Sequence, residues 1–338
     1  MSNPAPGSAD DGDTLADRGE GALVEALTRR LPQGKGVLVP PGDDAAVVTV
    51  DGAATVVSTD VLVSGVHFRL DWSDAHDIGR RAAAATLADL VAMGAQPVAL
   101  VVGLVAPADT EVAWALRLAD GLRDEAALVK ASVVGGDVSA GDQVMIAVSG
   151  VGSMGGREPV LRSGAQPGDQ VALAGRVGWA AAGLAVLSRG FGTPRALVEA
   201  YRRPEVEYAL GMKAATLGAH AMCDVSDGLL VDLGRIAAAS DVVVDLDSES
   251  LQVPEPVAAV AAAYAVDPLT WMLGGGDDHA LVAMFPAKKR LPKGFVRIGR
   301  VMAAKGSEDI EDTDEEAVEP VTVDGAPWSG ATGHAHYR

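Results

Sequence analysis

The sequence has 338 residues, enough for two domains, and a formal net charge of −19. A chain this acidic has the wrong sign for a duplex-binding surface, where Lys and Arg neutralise phosphates, so no nucleic-acid partner is expected. The single cysteine excludes an intramolecular disulfide, and no apolar run approaches the roughly 20 residues that span a bilayer. With no secretory signal at the N-terminus, the expected location is the cytoplasm, without a membrane partner.

The first half is predicted to alternate strands with helices. Residues 1–13 are predicted to be a disordered tail, and a helix follows, because Leu23, Leu27 and Leu31 recur at helical spacing up to Pro32. The next predicted elements are strands 37–39, 45–50 and 54–60, a helix over 75–93, a strand over 98–105, a helix over 110–130, and strands 132–134 and 143–151.

A cluster of turn residues separates this half from the second. Glycines and prolines concentrate between Gly155 and Gly168, which predicts a boundary between domains 14–155 and 156–338. Strands alternating with helices in both halves predict two α/β domains. The elements predicted beyond the boundary are strand 170–174, helices 179–189 and 205–217, strand 220–224, helix 228–238, strand 242–246, helix 254–265, and strands 280–284 and 295–301.

Two common nucleotide-binding motifs are excluded. The only Gly-Lys pair is followed by Gly36, so the sequence has no phosphate-binding loop of the G-x-x-x-x-G-K-[ST] type. Residues 150–155 match G-x-G-x-x-G, but the third glycine should open a helix, and the glycines and proline that follow would not allow one. This segment is predicted to be a turn.

Aspartates at strand ends and in Gly-rich turns are the candidate functional residues of the sequence. Each has an ordinary explanation as a turn former or helix cap. Asp89 differs, because an ionised carboxylate on an Ala-rich helix is costly unless it is paired or metal-bound. Together, with few basic residues nearby, they indicate a magnesium site, since Mg²⁺ prefers carboxylate, water and phosphate oxygens. The other aspartates lie in Gly42-Asp43-Asp44-Ala45, Ser58-Thr59-Asp60, Gly135-Gly136-Asp137 at the close of a strand, Asp224-Val225-Ser226-Asp227-Gly228, and Gly274-Gly275-Gly276-Asp277-Asp278.

At these residues the sequence resembles the thiamine-monophosphate kinase family, within the superfamily of aminoimidazole ribonucleotide synthetases. The resemblance runs from about Glu20 to the C-terminus. It rests on ordered motifs: Gly42-Asp43-Asp44-Ala45, Ser58-Thr59-Asp60 with Gly65-Val66-His67-Phe68, Leu87-Ala88-Asp89-Leu90-Val91-Ala92-Met93-Gly94-Ala95, Gly135-Gly136-Asp137, Arg162-Ser163-Gly164-Ala165, and Asp224-Val225-Ser226-Asp227-Gly228-Leu229.

The resemblance implies ATP-dependent phosphorylation of thiamine monophosphate to thiamine diphosphate, assisted by several Mg²⁺ ions. The first domain would bind ATP and magnesium and pair in a homodimer, and the second would complete the active site. No general base is implied, because a phosphate monoester is already largely anionic at pH 7. Magnesium would be bound by Asp44, Ser58, Thr59, Asp60, Asp89, Asp137, Asp224 and Asp227. ATP would contact Gly136, Asp137, Arg162 and Ser226, and thiamine monophosphate would contact His67, Asp277 and either Trp328 or His334.

Two segments depart from the family pattern, both on the acceptor side. The family usually reads Gly-Glu-Asp-Tyr-Glu-Leu where residues 276–281 read Gly-Asp-Asp-His-Ala-Leu, and its closing Gly-aromatic-Asp-His-Phe is Gly-His-Ala-His-Tyr at residues 333–337. Two alternatives stay open: another ATP-dependent, oxygen-activating synthetase of the superfamily, such as aminoimidazole ribonucleotide synthetase or selenophosphate synthetase, and a non-catalytic, nucleotide-binding scaffold.

Overall fold

The computed structural model of the chain describes residues 37–39, 43–50, 53–304 and 320–333. The predicted tail and N-terminal helix lie outside these residues. Within them, two β-sheets and the helices that cover them form an α/β architecture, as the sequence predicts.

The N-terminal half is built on a six-stranded mixed sheet. Its spatial order is β1-β2-β3-β6-β4-β5, with β4 and β5 parallel and the other neighbours antiparallel. In chain order its strands are β1 (Val37–Val39), β2 (Ala46–Val50), β3 (Ala53–Val63), β4 (Gln96–Ala106), β5 (Ser132–Ala140) and β6 (Met145–Ser153).

The predicted strands of this half are confirmed, but the predictions for two glycine-containing segments are wrong. Gly135-Gly136-Asp137 lies in the middle of β5 rather than at its close, because the hydrogen-bonded ladder to β4 continues as far as Ala140. Likewise Gly150 and Gly152 belong to β6, and the turn begins only after Ser153. A Cβ added to Gly150 would lie 2.7 Å from the Thr86 methyl group, so this glycine lets a helix approach the sheet closely.

Two helices, α1 (Ala75–Ala92) and α2 (Val112–Leu128), cover one face of this sheet and confirm the predicted helices. The Asp74 side chain caps α1 by accepting a hydrogen bond from the Asp77 backbone N–H at 2.9 Å. Small residues dominate α1, which is buried along most of its length. Its packing against α2 is close enough that a Cβ on Gly121 would lie 2.1 Å from the His76 carbonyl oxygen.

The C-terminal half is built on a seven-stranded sheet in the order β13-β12-β9-β11-β7-β10-β8. Its strands are β7 (Gln170–Ala174), β8 (Ala221–Val225), β9 (Val242–Leu246), β10 (Ala280–Phe285), β11 (Val296–Ala303), β12 (Val321–Val323) and β13 (Ala326–Pro327). Its helices are α3 (Trp179–Ser188), α4 (Arg195–Arg202), α5 (Tyr208–Thr216), α6 (Leu229–Ser240), α7 (Glu255–Tyr264) and α8 (Pro268–Gly274).

Sequence periodicity predicts the longer elements of this half but misses α4, α8, β12 and β13. These elements have two to eight residues, too few for a period of two or of 3.6 to be recognised. The boundary near residue 155 stays a prediction, and it falls between the last strand of the first sheet and the first strand of the second.

One apolar cluster contains residues of both halves. Residues of the first sheet and α1 form a buried cluster with Ala172, Met222 and Leu281 of the second sheet. α1 and α5 pack so closely that a Cβ on Gly211 would lie 2.1 Å from the Val91 carbonyl oxygen. This packing holds α1 next to β8, where charged side chains from both halves meet. No single helix in the described ranges has the length and apolarity needed to cross a membrane.

Candidate active site

Three aspartates from distant parts of the chain converge where the two halves meet. Asp44 precedes β2, Asp89 lies on α1 and Asp224 lies near the end of β8. One carboxylate oxygen from each lies within 4.8 Å of the other two. Like charges this close repel strongly once they are removed from water, so the ionised cluster requires a cation.

The electrostatics of the cluster follow from its enclosure. Burial raises the pKa of Asp44 and of Asp89 well above the usual value, and repulsion from neighbouring carboxylates, including Asp224, raises both further. Burial likewise raises the pKa of Asp60, although the hydrogen bond from Thr86 acts to lower it. Among the described residues, Asp44 Oδ2 is buried and has no hydrogen-bond partner. Hard oxygen donors with one orphaned carboxylate oxygen fit a magnesium ion.

Strand β3 adds a hydroxyl and a carboxylate to this cluster. The Ser58 hydroxyl donates a hydrogen bond to Asp89 Oδ2, and the Thr86 hydroxyl donates to Asp60 Oδ2 at 2.8 Å. Ser58 and Asp60 therefore both face α1. The alternation of a strand places Thr59 on the opposite face, where its hydroxyl lies 3.0 Å from the Ser149 hydroxyl.

Asp137 also lies on the face of the first sheet that α1 and α2 leave uncovered. Asp137 of β5 pairs with Gly103 of β4, Gly103 pairs with Ala147 of β6, and Ala147 pairs with Val61 of β3. Because residues paired across a sheet point to the same side, these four positions share one face. The Asp137 side chain is exposed. Of the predicted magnesium ligands, the structure therefore brings together Asp44, Ser58, Asp60, Asp89 and Asp224, and it places Thr59 and Asp137 on the other side of the sheet.

Asp227, the remaining predicted ligand, lies just before α6 and forms an ion pair with Arg235. Arg235 also contacts the buried Asp232 at 2.7 Å. Burial raises the pKa of Asp232 to about 7, and its Oδ2 accepts hydrogen bonds from the backbone N–H groups of Asp227 and Gly228. The loop carrying Asp227 and Ser226 is thus tied to the first turns of α6.

Arg162, a predicted ATP contact, binds both aspartates of the Gly42-Asp43-Asp44-Ala45 motif. Its guanidinium pairs with Asp44, and its backbone N–H donates to Asp43 Oδ2 at 2.9 Å. Burial would lower the pKa of Arg162, but the surrounding negative charge, chiefly that of Asp44 with a contribution from Asp43, and the hydrogen bond to Asp44 together raise it. A guanidinium that faces a carboxylate in this way has the geometry to accept a phosphate instead.

A cavity of about 510 Å³ opens beside the cluster. Asp60 lines it on the cluster side, and Ser226 and Asp227 line it from the second half. The predicted acceptor residues His67 and Asp277 also line it, and His67 Nδ1 accepts a hydrogen bond from the Val63 backbone N–H at 2.9 Å.

The two aromatic candidates for the acceptor site have different outcomes. Trp328 is partly buried against the apolar core of the second half and is not among the residues that line the cavity. His334 lies outside the described residues.

Sequence reasoning missed two residues that line this cavity, His279 and Arg81. His279 Nδ1 lies 2.8 Å from Asp224 Oδ2. Burial would lower the pKa of His279, but the hydrogen bond and charge of Asp224 raise it. Arg81 forms an ion pair with Asp277 at 2.8 Å. Arg81 precedes Asp89 by eight residues on the same predicted helix, and residues four and eight apart lie on one face. This spacing could have indicated Arg81 as a site residue.

Comparisons with known proteins identify the family of the chain. The family model described as AIR synthase related protein, N-terminal domain, matches residues 42–154, and the corresponding C-terminal model matches residues 166–288. Thiamine-monophosphate kinase of Mycobacterium tuberculosis is 44% identical over 321 residues, covering 95% of this chain and 92% of that protein. Its counterpart from Corynebacterium glutamicum is 38% identical over 329 residues, covering 95% and 96%.

A solved structure extends the agreement to three dimensions. The structure of AaThiL complexed with AMPPCP and TMP superimposes with a TM-score of 0.85 at 28% identity, covering 97% of this chain and 100% of that one. Both halves of the chain, their order and their fold therefore match the same group of proteins. The chain belongs to the thiamine-monophosphate kinase family, within the AIR synthase-related proteins.

Proposed function

We propose that the protein transfers the terminal phosphoryl group of ATP to thiamine monophosphate, giving ADP and thiamine diphosphate. The observation that carries this proposal is the convergence of Asp44, Asp89 and Asp224 beside a cavity lined by His67 and Asp277. The family to which the chain belongs gives the reaction its identity, since its members at 44% and 38% identity are thiamine-monophosphate kinases.

Magnesium is the cofactor that suits the cluster. It would be held by Asp44, Ser58, Asp60, Asp89 and Asp224, with Thr59, Asp137 and Asp227 as the further ligands that the family resemblance implies. When bound there, magnesium would neutralise the oxygens of the donor and acceptor phosphates, which otherwise repel each other.

The protein's own residues position the reactants. The acceptor oxygen belongs to a phosphate monoester whose second pKa is near 6, so it is already anionic at pH 7 and needs no general base. Arg162 would exchange part of its contact with Asp44 for ATP phosphate, beside Ser226. The Gly136-Asp137 pair, whose aspartate lies on the other side of the sheet, is an ATP contact that the family resemblance implies. Asp277 presents a carboxylate to the cavity, which favours a substrate that carries the cationic thiazolium ring.

A second copy of the chain would complete the nucleotide site. Thr59, Val61, Val101 and Asp137 lie on the uncovered face of the first sheet, here called the open sheet face. Val61 is 45% exposed and Val101 is 43% exposed, so this face combines apolar area with two predicted magnesium ligands. Pairing of two open sheet faces in a homodimer would bury the valines and bring Thr59 and Asp137 to the subunit interface.

The test is direct product analysis. Purified protein with ATP, magnesium and thiamine monophosphate should form ADP and thiamine diphosphate in equal amounts, resolved by chromatography. Free thiamine in place of the monophosphate should give no product. ADP release without thiamine diphosphate would favour another synthetase of the superfamily, and ATP binding without turnover of any acceptor would favour a scaffold.

A further inference from the structure

One row of side chains on α1 connects the carboxylate cluster to the far end of the cavity. Asp89, Ala85 and Arg81 are spaced by four residues, so they lie on one face of the helix. Ala85 and Arg81 both line the cavity. At 1.5 Å per residue, Arg81 lies about 12 Å along the helix axis from Asp89.

Arg81 is held in one orientation from three directions. Its side chain is only 6% exposed. Nη1 donates a hydrogen bond to the Tyr201 carbonyl oxygen, in the last turn of α4, at 2.6 Å, and Nη2 lies 2.8 Å from Asp277 Oδ2. The guanidinium also lies 4.9 Å from the centre of the Tyr201 ring, a cation–π contact. Both terminal nitrogens are therefore engaged by the protein.

Asp277, in contrast, is open to the cavity. Its side chain is 49% exposed, while its backbone N–H donates to the Ser226 carbonyl oxygen at 2.8 Å. Enclosure by the protein would raise the pKa of Asp277, but the charges of Arg81, His279 and His67 and the hydrogen bond from Arg81 together lower it below the usual value. The backbone of Asp277 has φ of 65°, in the left-handed region that few non-glycine residues adopt. Arg81 thus fixes an ionised carboxylate that still has an accessible side.

The walls beside this pair are apolar. Val66 is 65% exposed and Leu184 is 40% exposed, and both line the cavity next to His67 and the Tyr201 ring. The far end therefore offers one oriented anion between apolar surfaces. It suits the organic end of a phosphate ester that is flat or apolar and carries a cation or an N–H donor. The opposite end of such a molecule would reach the carboxylate cluster.

We propose that Arg81 is a positioning residue for acceptor selection: it orients Asp277 so that acceptor phosphates with a cationic or N–H-donating organic end are preferred. This inference rests on the proposed phosphoryl transfer, because it presumes that the acceptor phosphate lies at the cluster. The two terminal nitrogens of Arg81 are already engaged by Asp277 and the Tyr201 carbonyl oxygen, so Arg81 acts through Asp277. Its loss should weaken acceptor binding while leaving ATP binding and the transfer step in place.

The experiment compares Arg81→Met with Arg80→Met. Arg80 is the adjacent cation of α1, and its Nε lies 2.7 Å from the buried Glu125, away from the cavity. Both variants lose an ion pair in which one partner is buried, and both should melt at lower temperature. Only Arg81→Met should raise the KM for thiamine monophosphate, about tenfold or more, with kcat and the KM for ATP within about twofold of wild type. Arg81→Lys, which keeps the charge but not the two-pronged contact, should give an intermediate KM.

A double-mutant cycle separates positioning from direct binding. Asp277→Asn should raise the acceptor KM, and adding Arg81→Met should change it by less than about twofold more, because Arg81 acts through Asp277. The inference would be overturned if the two substitutions raised the acceptor KM by the product of their separate effects, or if Arg81→Met left that KM unchanged. If Arg81→Met does not fold, the cycle is run with Arg81→Lys. If the wild-type protein forms no thiamine diphosphate, the proposed function itself is refuted. If the wild-type protein is active and Arg81→Met has an unchanged acceptor KM, only the inference about Arg81 is refuted.

Discussion

Asp89 is the residue at which stability and the proposed activity conflict most directly. It lies on an Ala-rich helix, next to Asp60, Asp224 and Asp44, and burial with their repulsion raises its pKa. We expect Asp89→Asn to lower turnover about a hundredfold or more, the scale of losing one strong electrostatic contact in an active site. Without magnesium the variant should melt at a higher temperature than wild type, because one repelling charge is removed.

The matched control for this substitution is Asp77→Asn. Asp77 lies on the same helix, three turns earlier, and pairs with Arg203 at 3.2 Å outside the cluster. Product formation and thermal unfolding in EDTA would be measured for both variants. Wild-type turnover of Asp89→Asn at saturating magnesium would contradict a ligand role.

The sequence indicates which residues are candidates for the chemistry, but it does not predict which of them meet. Motifs indicate the aspartates, because carboxylates beside glycines at strand ends are distinctive. Their grouping depends on the pairing register of β3, β6, β4 and β5, which puts Thr59 and Asp137 on the face opposite Asp60. His279 could not be predicted as a partner of Asp224, because the two residues are 55 positions apart and meet only through β8–β10 pairing.

At the scale of elements, the close crossing of α1 and α2 depends on glycine. A Cβ at Gly121 would lie 2.1 Å from the His76 carbonyl oxygen, a backbone atom that cannot move alone. We expect Gly121→Ala to lower the free energy of unfolding by about 1–3 kcal/mol, the usual cost of overpacking. Denaturant titration followed by circular dichroism measures it.

Gly234 in α6 provides the control for this crossing. It is also helical, but an added Cβ would meet only Pro320 and Val321 side-chain atoms at 4.0 Å. Gly234→Ala should therefore raise the free energy of unfolding, by up to about 1 kcal/mol, because Ala has the higher helix propensity. Equal effects of the two substitutions would argue against the close crossing.

Element prediction succeeded where a pattern was long and failed where tertiary contacts set the structure. The 18 residues of α1 and 17 of α2 repeat the helical period several times, so both were predicted within two residues at each end. The glycines of β5 favour a break, yet pairing with β4 carries the strand through them. Likewise α8 has only seven residues and begins at a proline, which gives no periodic signal.

For the whole molecule, the open sheet face provides a test of the proposed homodimer. Val101 lies on this face at 43% exposure, so Val101→Asp would bury a charge at the subunit interface. We expect a monomer by light scattering after size exclusion, together with weaker ATP binding. The control is Val112→Asp, a substitution at a 75% exposed residue that begins α2 on the other side of the sheet. A monomeric wild type, or an unchanged dimer in Val101→Asp, would contradict this interface.

The net charge of −19 raises the question of how the chain binds a triphosphate, and the cluster suggests the answer. In the described part of the chain, Arg162 is the basic residue that forms an ion pair with Asp44. If magnesium supplies most of the compensating charge, calorimetric titration should show ATP affinity falling far more on chelation than in Arg162→Ala. Losing one charge-assisted contact costs about 1.5–3 kcal/mol, tenfold or somewhat more in affinity. Removing the cations leaves Asp44, Asp89 and Asp224 facing the phosphates, so attraction becomes repulsion. Comparable ATP binding in EDTA would show that the aspartates do not act as a metal platform.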